Sequence, residues 1–317
     1  MAYLVTGGTG FIGSYVVRDL LNAEKRVVCL QRSGITPAFK VVVGEDKADR
    51  VKIIRGDVAN TVQLFDIIQE NDIDLIIHLG YLLRPASELE PAYALQVNCI
   101  GMNNVLEAVR LLGLKRAIWV SSIAVSGQLG EIYKQSVADD DMIYKPVTFM
   151  AATKALNEFM SKLYFDRFGT DCIGFRLGRT FGIGKWTGGD VPFNEFLRKA
   201  ALNIPATIGS GEGLLGYAYV EDISDLIVQA CDAPPTRTRV FNAVEGEYTL
   251  RQVAEVVQRI NPDAQVTVEG GTDYWPLSMD TTAVQTELGW QPTHNLEDGI
   301  RKVFNYFRQQ EELPSLH

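Results

Sequence analysis

The sequence predicts an α/β fold: a doubly wound parallel sheet of the Rossmann type, with a smaller C-terminal lobe. In the first half, short apolar runs rich in β-branched residues alternate with amphipathic helical patterns. This order is typical of a parallel sheet covered by helices on both faces. A glycine-rich turn follows the first apolar run directly. After DCIGFRLGRTFG the pattern changes to longer loops rich in glycine and proline, which indicates the smaller lobe.

The individual elements follow from the spacing of apolar residues. Strands are predicted in short, mostly apolar runs between turn residues, namely YLVTG, RVVCLQ, VKIIRGD, DLIIHLG and RAIWVSS. Helices are predicted where apolar residues recur at helical spacing, over residues 11–22, 62–70, 92–112 and 147–168. A terminal helix is predicted over residues 295–310.

Composition limits the classes of ligand. The formal net charge of -9 and the pI near 5.0 disfavour a nucleic-acid partner, since such proteins usually present a basic face. A small-molecule substrate is expected instead. The N-terminus shows no signal-peptide pattern, and no stretch is long and apolar enough to span a membrane. We therefore expect a cytoplasmic protein with no membrane partner.

Cysteine and histidine usage indicates neither disulfides nor a metal site. Cys29, Cys99, Cys172 and Cys231 are far apart and form no CxxC motif. They are interpreted as buried small hydrophobic residues in a reducing compartment. The three histidines of the sequence form no cluster with metal-ligand spacing, so no metal is expected.

The turn TGGTGFIGS carries the first functional prediction. It follows a strand and opens a helix, with Gly7, Gly10 and Gly13 in GxxGxxG spacing. The first glycine allows a tight turn, the second lets a pyrophosphate approach the backbone, and the third packs the helix on the sheet. A dinucleotide site is therefore predicted here, with Phe11 and Ile12 among its cofactor-binding residues.

The end of the second strand indicates which dinucleotide is favoured. NAD-binding folds usually place an acidic residue there to hold the ribose 2′-hydroxyl, whereas this chain has Gln31, Arg32 and Ser33. A guanidinium pairs with a phosphate through two hydrogen bonds, and a carboxylate would repel it. NADP is therefore favoured over NAD. An Arg32 that is only a solvated loop residue would leave NAD as the alternative.

Further motifs along the chain resemble one enzyme family. They are GDV at 56–58, HLG at 78–80, VNCIGMNNVLEA from 97, VSSIAVSG from 120, TKALNE from 153, YVEDISD from 219 and LGWQP from 288. With the glycine turn, they resemble the extended short-chain dehydrogenases/reductases, the NAD-dependent epimerase/dehydratase group, over residues 2–307. The resemblance implies fold and cofactor more firmly than substrate, because one fold hosts many chemistries.

The resemblance implies how the rest of the cofactor lies. It assigns two residues after the third strand to the adenine end and three after the fourth strand to the middle of the cofactor: Asp57 and Val58, then Leu79, Gly80 and Tyr81. It makes Asn98 a structural polar residue near the site. His78 is interpreted as a satisfied core histidine.

The catalytic set of this family is a Ser or Thr together with a Tyr and a Lys in YxxxK spacing. By position, Ser122 and Lys154 match this set, but the tyrosine position holds Met150. A thioether neither donates nor accepts a proton at a useful pH, so another group acts or none does. Tyr81 is the first candidate and Tyr144 the second. The alternative is that both are ordinary packed tyrosines.

The second half indicates the kind of substrate. Nucleotide-sugar members of the family hold the diphosphate with an Asn and an Arg, whose positions here hold Arg179 and Leu215. A nucleotide sugar is therefore disfavoured. Arg179 is expected to meet a carboxylate or single phosphate of a substrate that also contacts Met150, unless it forms a salt bridge between the lobes. A partly apolar pocket is predicted from Leu214, Leu215, Trp186 and Phe193.

Three loops have simpler interpretations. GKWTGGD at 184–190 has the glycines of a mobile lid, and a static surface loop is the alternative. GSGEG at 209–213 precedes no predicted helix and is interpreted as a turn. DDDM at 139–142 is interpreted as a solvated loop.

These observations divide the chain and leave three functions open. Residues 1–178 and 216–244 are predicted to form the dinucleotide-binding domain, and 179–215 and 245–317 mainly a substrate lobe. The functions are an NAD(P)-dependent oxidoreductase of a small hydroxy or keto compound, an epimerase or dehydratase of a sugar-like substrate, and a cofactor-binding protein with non-redox catalysis or a sensor role. The resemblance also implies a homodimer formed through residues 92–112 and 151–168.

Overall fold

The strands of the structure are short and mostly buried. This computed structural model describes residues 1–127, 143–187, 191–209, 211–271 and 279–317. In chain order, the strands are β1 (Ala2–Thr6), β2 (Arg26–Gln31), β3 (Lys52–Arg55), β4 (Leu75–His78), β5 (Arg116–Ser122), β6 (Cys172–Leu177), β7 (Arg179–Phe181), β8 (Ala206–Ile208), β9 (Leu215–Tyr219), β10 (Val240–Ala243), β11 (Gly246–Tyr248) and β12 (Val266–Val268).

Helices follow most of these strands. They are α1 (Phe11–Asn22), α2 (Pro37–Val43), α3 (Glu45–Ala48), α4 (Thr61–Glu70), α5 (Ala86–Leu89), α6 (Pro91–Leu95), α7 (Gly101–Leu112), α8 (Phe149–Phe168), α9 (Val191–Ala201), α10 (Val220–Asp232), α11 (Leu250–Ile260), α12 (Thr282–Leu288) and α13 (Leu296–Gln310). A π-helical turn at Gln96–Ile100 joins α6 to α7, and a 3₁₀ turn at Ile123–Ser126 follows β5.

The main sheet has seven strands in the order β10-β6-β5-β4-β1-β2-β3, and every neighbouring pair is parallel. Its strands are apolar and covered on both faces, with one buried cluster on each side. The predicted doubly wound parallel sheet is therefore confirmed. The strand order reverses between β1 and β4, and ligands of open α/β sheets bind in the crevice at such a point.

Two helical features differ from the sequence predictions. The predicted helix 92–112 is interrupted by the π-helical turn, in which the buried Asn98 side chain hydrogen-bonds to the backbone of Leu82. The sequence does not predict α2, whose first turn is capped by Thr36 and anchored by the buried Phe39. At seven residues, α2 is too short for its apolar spacing to distinguish helix from strand.

The second half builds two smaller sheets beside the main one. The strands β11, β9 and β7 form one, and β12 pairs with β8 in the other. They share a second core with α9, α11 and α13, which includes the buried Phe193 and Phe304. β9 pairs with β7 in the smaller sheet, whereas the helix that follows it, α10, packs on α1 beside the main sheet. The chain therefore passes from the smaller sheet to the main one near Val220. The division into two domains stays a prediction.

Other expectations concern single residues and loops. The four cysteines are free and buried, as predicted. Within the ranges that the structure covers, no helix has both the length and the apolar character of a membrane span. The predicted DDDM loop, residues 188–190 of the predicted lid and Ser210 of the predicted turn lie outside the described residues.

Candidate functional site

A cleft of about 700 Å³ opens at the carboxyl ends of the parallel strands, across the point where the strand order reverses. The residues that the sequence assigns to cofactor binding, together with Ser122 and the predicted substrate residues Met150 and Arg179, line this cleft: Gly7, Gly10, Phe11, Ile12, Gly13, Arg32, Ser33, Asp57, Val58, Leu79, Gly80, Tyr81, Ser122, Met150, Lys154 and Arg179. The structure therefore brings these residues together. Their chemical roles stay predictions.

The sequence misses several residues of the cleft and includes three that do not line it. Leu214, Trp186 and Phe193 are absent from the described lining residues. Four of the missed residues come from loops and short helices to which the sequence assigned no binding role, and only the fold brings them to the cleft: Arg84, Tyr93, Lys185 and Thr187.

The glycine turn packs against neighbouring backbone too closely for side chains at two of its glycines. Gly7 has a φ of +69°, and a Cβ there would lie 2.7 Å from the Gly80 nitrogen. A Cβ on Gly13 would lie 2.3 Å from the carbonyl oxygen of Gly7. Gly10 precedes α1, and no side chain caps that helix. The backbone N–H groups of its first turn are therefore available to an anion, which fits the pyrophosphate of a dinucleotide.

The loop after β2 is tied to the glycine turn. The Thr9 hydroxyl donates a hydrogen bond to the Gly34 carbonyl at 2.8 Å, and the Thr36 hydroxyl donates to the Thr9 carbonyl. These two bonds hold the exposed Arg32 and Ser33 at the end of the cleft that the adenine ribose would occupy.

Lys154 is buried at the centre of the cleft, with 4% of its surface exposed. Its Nζ donates to the Val120 carbonyl at 2.5 Å and lies 3.3 Å from the centroid of the Tyr81 ring. Burial lowers the pKa of Lys154 to about 7, and the charge of Glu158 opposes this shift. The ammonium group is therefore held by a carbonyl and an aromatic face, two weak partners for a buried charge.

The first turn of α8 sets the direction of Lys154. Thr148 caps the helix by accepting the Ala151 N–H at 3.2 Å. The Glu88 carboxylate accepts the N–H groups of Phe149 at 3.1 Å and Met150 at 3.3 Å. Met150, at the position of the expected tyrosine, is thus held through its backbone. Its side chain lines the cleft one helical turn from Lys154.

Ser122 ends β5, and its Oγ accepts the Ala124 N–H at 3.1 Å. The preceding residue, Ser121, also borders the cleft, but its hydroxyl donates to the buried Glu158. Glu158 also binds Arg176 at 2.8 Å, and both side chains are almost fully buried. This ion pair joins α8 to β6 and so holds Lys154 opposite Ser122.

Both candidate tyrosine hydroxyls are hydrogen-bonded to protein side chains. Thr153 donates to the Met150 carbonyl at 2.8 Å, so the Tyr81 hydroxyl, 2.7 Å from Thr153 Oγ1, is the donor of that bond. Burial raises the pKa of Tyr81. The Tyr144 hydroxyl donates to Glu158 at 2.7 Å, outside the lining of the cleft. Proton donation by Tyr81 stays a prediction, and it requires the hydroxyl to leave Thr153.

His78 is a core residue, as predicted, but only one of its ring nitrogens is satisfied. Thr6 Oγ1 accepts the Gly80 N–H at 3.1 Å and shares a hydrogen bond of 2.7 Å with His78 Nδ1. Nε2 is buried and has no partner among the described residues. Burial and the charge of Lys154 lower the pKa of His78 to about 3, so the ring is neutral.

Arg179 lies at the substrate side of the cleft, on β7. Its Nη1 donates to the Tyr217 hydroxyl at 3.2 Å, and its guanidinium carbon is 5.1 Å from the centroid of the Phe193 ring. Leu215 lines the same space. The lining thus combines a cation with the apolar Leu215, whereas the other three residues of the predicted apolar pocket do not line the cleft.

Comparison with known proteins agrees with this geometry. UDP-glucose 4-epimerase of Mycolicibacterium smegmatis is 26% identical over 324 residues, covering 98% of this chain and 100% of that protein. The structure of L-threonine dehydrogenase from Clostridium difficile has a TM-score of 0.85 at 22% identity, with 98% of both chains covered. UDP-glucose 4-epimerase of Thermus thermophilus in complex with NAD has a TM-score of 0.81 at 23% identity, covering 97% of this chain and 99% of that one.

A family model matches most of the chain. It covers residues 3–244, which include the glycine turn, Ser122 and Lys154, and it is described as the NAD dependent epimerase/dehydratase family. The order of the motifs, the parallel sheet and the cleft at its switch point agree with this match. The chain therefore belongs to the NAD-dependent epimerase/dehydratase family, within the extended short-chain dehydrogenases/reductases.

Proposed function

We propose that the protein, in a family of NAD-dependent epimerases, dehydratases and dehydrogenases, is an NADP(H)-dependent oxidoreductase of a small hydroxy or keto compound. The supporting observation is that Ser122 and Lys154 line the same cleft as the glycine turn. The nicotinamide would exchange a hydride with the substrate. Ser122 would polarise the substrate oxygen, and Lys154 would hold the nicotinamide ribose. Tyr81 would support Lys154 with its ring.

The substrate in this proposal carries one anionic group. Arg179 provides the cation for a carboxylate or a single phosphate, and Leu215 stands where nucleotide-sugar members of the family have an arginine. A carboxylate-bearing hydroxy compound is therefore favoured over a UDP-sugar. L-Threonine, which a structural relative is named for, is a compound of this kind.

Absorbance of the reduced nicotinamide tests the reaction class. NADPH is mixed with the protein and with small keto compounds that carry a carboxylate or a phosphate, and with the same compounds lacking the anionic group. Loss of absorbance with the anionic set alone supports the proposal. Turnover of a polyhydroxylated compound at constant absorbance would replace it with an epimerase or dehydratase function.

The cofactor preference gives the first prediction. Arg32→Ala should weaken NADP binding by about 1 to 3 kcal/mol, the usual contribution of a charge-assisted contact, and should change NAD binding little. Titration calorimetry on the wild-type protein and the variant measures both dissociation constants. Equal wild-type affinities for NAD and NADP would remove the preference for NADP.

Met150 favours a second function, cofactor binding with non-redox catalysis, because its side chain cannot transfer a proton. The substitution Met150→Tyr tests whether Met150 is fitted to the native reaction or marks a decayed dehydrogenase. We expect several-fold slower turnover of the native substrate, because the larger ring would crowd the cleft beside Lys154. Met150→Leu, which conserves volume, is the control and should keep most of the activity. A rise in carbonyl reduction by about 10²- to 10⁴-fold in Met150→Tyr would instead mark a decayed dehydrogenase.

We also propose that the protein is a homodimer in a reducing compartment such as the cytoplasm. Ile100 and Leu111 on one helical segment and Leu156, Phe159 and Leu163 on α8 are exposed apolar residues. Exposed apolar surface of this extent on neighbouring helices is typical of an interface.

The proposed compartment follows from the cysteines. The four free cysteines suit a reducing environment.

A further inference from the structure

Three side chains from different elements meet at the adenine end of the cleft. Arg32 follows β2, Asp57 follows β3, and Tyr93 lies on α6. The guanidinium carbon of Arg32 is 5.0 Å from the centroid of the Tyr93 ring. The Tyr93 hydroxyl donates to Asp57 Oδ2 at 2.9 Å, while Asp57 Oδ1 accepts the Ala59 N–H. All three side chains line the cleft.

Tyr93 therefore stands between a cation and an anion. Burial and the hydrogen bond to Asp57 raise the pKa of the Tyr93 hydroxyl, and the nearby Arg32 opposes this shift. The ring thus holds the guanidinium through its face, and the hydroxyl occupies one oxygen of the carboxylate. Within the part of the chain that the structure describes, Arg32 and Asp57 form no direct ion pair with each other.

We propose that Tyr93 is a positioning residue that sets the choice between NADP and NAD, because it keeps Arg32 from pairing with Asp57. This inference rests on the proposed function, in which Arg32 binds the 2′-phosphate of NADP. The sequence motifs single out Arg32 and Asp57, and Tyr93 carries no motif of its own.

The physical reason is a competition for one guanidinium. A guanidinium and a carboxylate form a bidentate pair with strong hydrogen bonds, whereas stacking on an aromatic face is weaker and uses fewer N–H donors. If Arg32 paired with Asp57, the 2′-phosphate would have to displace a carboxylate and would also meet its negative charge. With Tyr93 between them, the N–H donors of Arg32 stay available to the phosphate.

The test is the ratio of the dissociation constants of NAD and NADP, measured by titration calorimetry. Tyr93→Leu removes the ring and the hydroxyl, and we expect the ratio to fall by about 3- to 10-fold. Tyr93→Phe keeps the ring, so the ratio should stay near the wild-type value while both cofactors bind somewhat more weakly. Adding Asp57→Asn to Tyr93→Leu removes the competing carboxylate and should restore the ratio. A merely structural role of Tyr93 would not produce this rescue.

The outcomes separate this inference from the proposed function. If Arg32→Ala lowers the ratio and Tyr93→Leu does not, the role of Tyr93 is wrong and the preference for NADP stands. If Arg32→Ala leaves the ratio unchanged, the role of Tyr93 and the proposed binding of the 2′-phosphate by Arg32 are both wrong. An equal fall in Tyr93→Phe and Tyr93→Leu, or no rescue by Asp57→Asn, also overturns the inference. Tyr93→Gln replaces Tyr93→Leu if the circular dichroism spectrum of the latter shows an unfolded chain.

Discussion

Ser122→Ala should lower kcat by about 10²- to 10³-fold with a small change in KM, the effect of removing one donor that acts in the transition state. The Ser122 hydroxyl lies at the carboxyl end of β5 and lines the cleft with Lys154. Steady-state turnover of the substrate found with NADPH measures this effect. An unchanged kcat would remove Ser122 from the reaction.

The neighbouring serine is the matched control. Ser121→Ala makes the same chemical change one residue earlier, but the Ser121 hydroxyl is bound to Glu158. We expect this variant to lose thermal stability, because a buried carboxylate loses a donor, while kcat stays near the wild-type value. Equal losses of kcat in both serine variants would indicate a structural effect of β5.

The same assay examines Tyr81. In Tyr81→Phe the ring beneath Lys154 remains, and the hydroxyl that is lost is bound to Thr153. If Tyr81 supplies the proton, turnover should fall by about 10²- to 10⁴-fold, the usual contribution of a general acid, whereas a loss of less than about tenfold would mean that the proton comes from solvent. A loss as large as that in Ser122→Ala would assign the proton to Tyr81.

Lys154→Met should weaken dinucleotide binding by about 1.5 to 3 kcal/mol, the contribution of a charged hydrogen-bonding group. Lys154 lines the cleft between the glycine turn and Ser122, and the ribose hydroxyls are its expected partners whatever the substrate is. Calorimetric titration with NADP and NAD should show losses of similar size. An unchanged dissociation constant would mean that α8 does not face the cofactor.

Lys154→Met should also change how the free energy of unfolding depends on pH. Burial lowers the pKa of Lys154 to about 7 from 10.5, so between these values the unfolded chain holds a proton there that the folded protein lacks. The free energy of unfolding should therefore rise with pH across this window, by at most about 1.4 kcal/mol per pH unit from this group. Urea titrations at a series of pH values should show that Lys154→Met lacks this rise. The exposed Lys162 on α8 provides the control, since Lys162→Met should keep it.

The sequence by itself determined the sheet and the main features of the cleft. Glycine spacing after β1, apolar runs of strand length and the serine at the end of β5 are local patterns, and each is the direct cause of a local structure. The carboxyl ends of parallel strands meet at one edge, so residues that follow different strands were expected to share a site. The structure places Gly7, Ser122 and Lys154 there.

Only the tertiary structure decided what the side chains in that cleft contact. Tyr81 binds Thr153 across 72 residues of sequence, and Tyr93 joins Asp57 across 36. Neither contact leaves a periodic or spaced signal, because the partners lie on separate elements whose relative positions depend on packing. The burial that lowers the pKa of Lys154 likewise depends on the elements that surround it. Local spacing therefore determined where the predicted site residues lie, and long-range packing determined which of their atoms are free of hydrogen bonds to other protein groups.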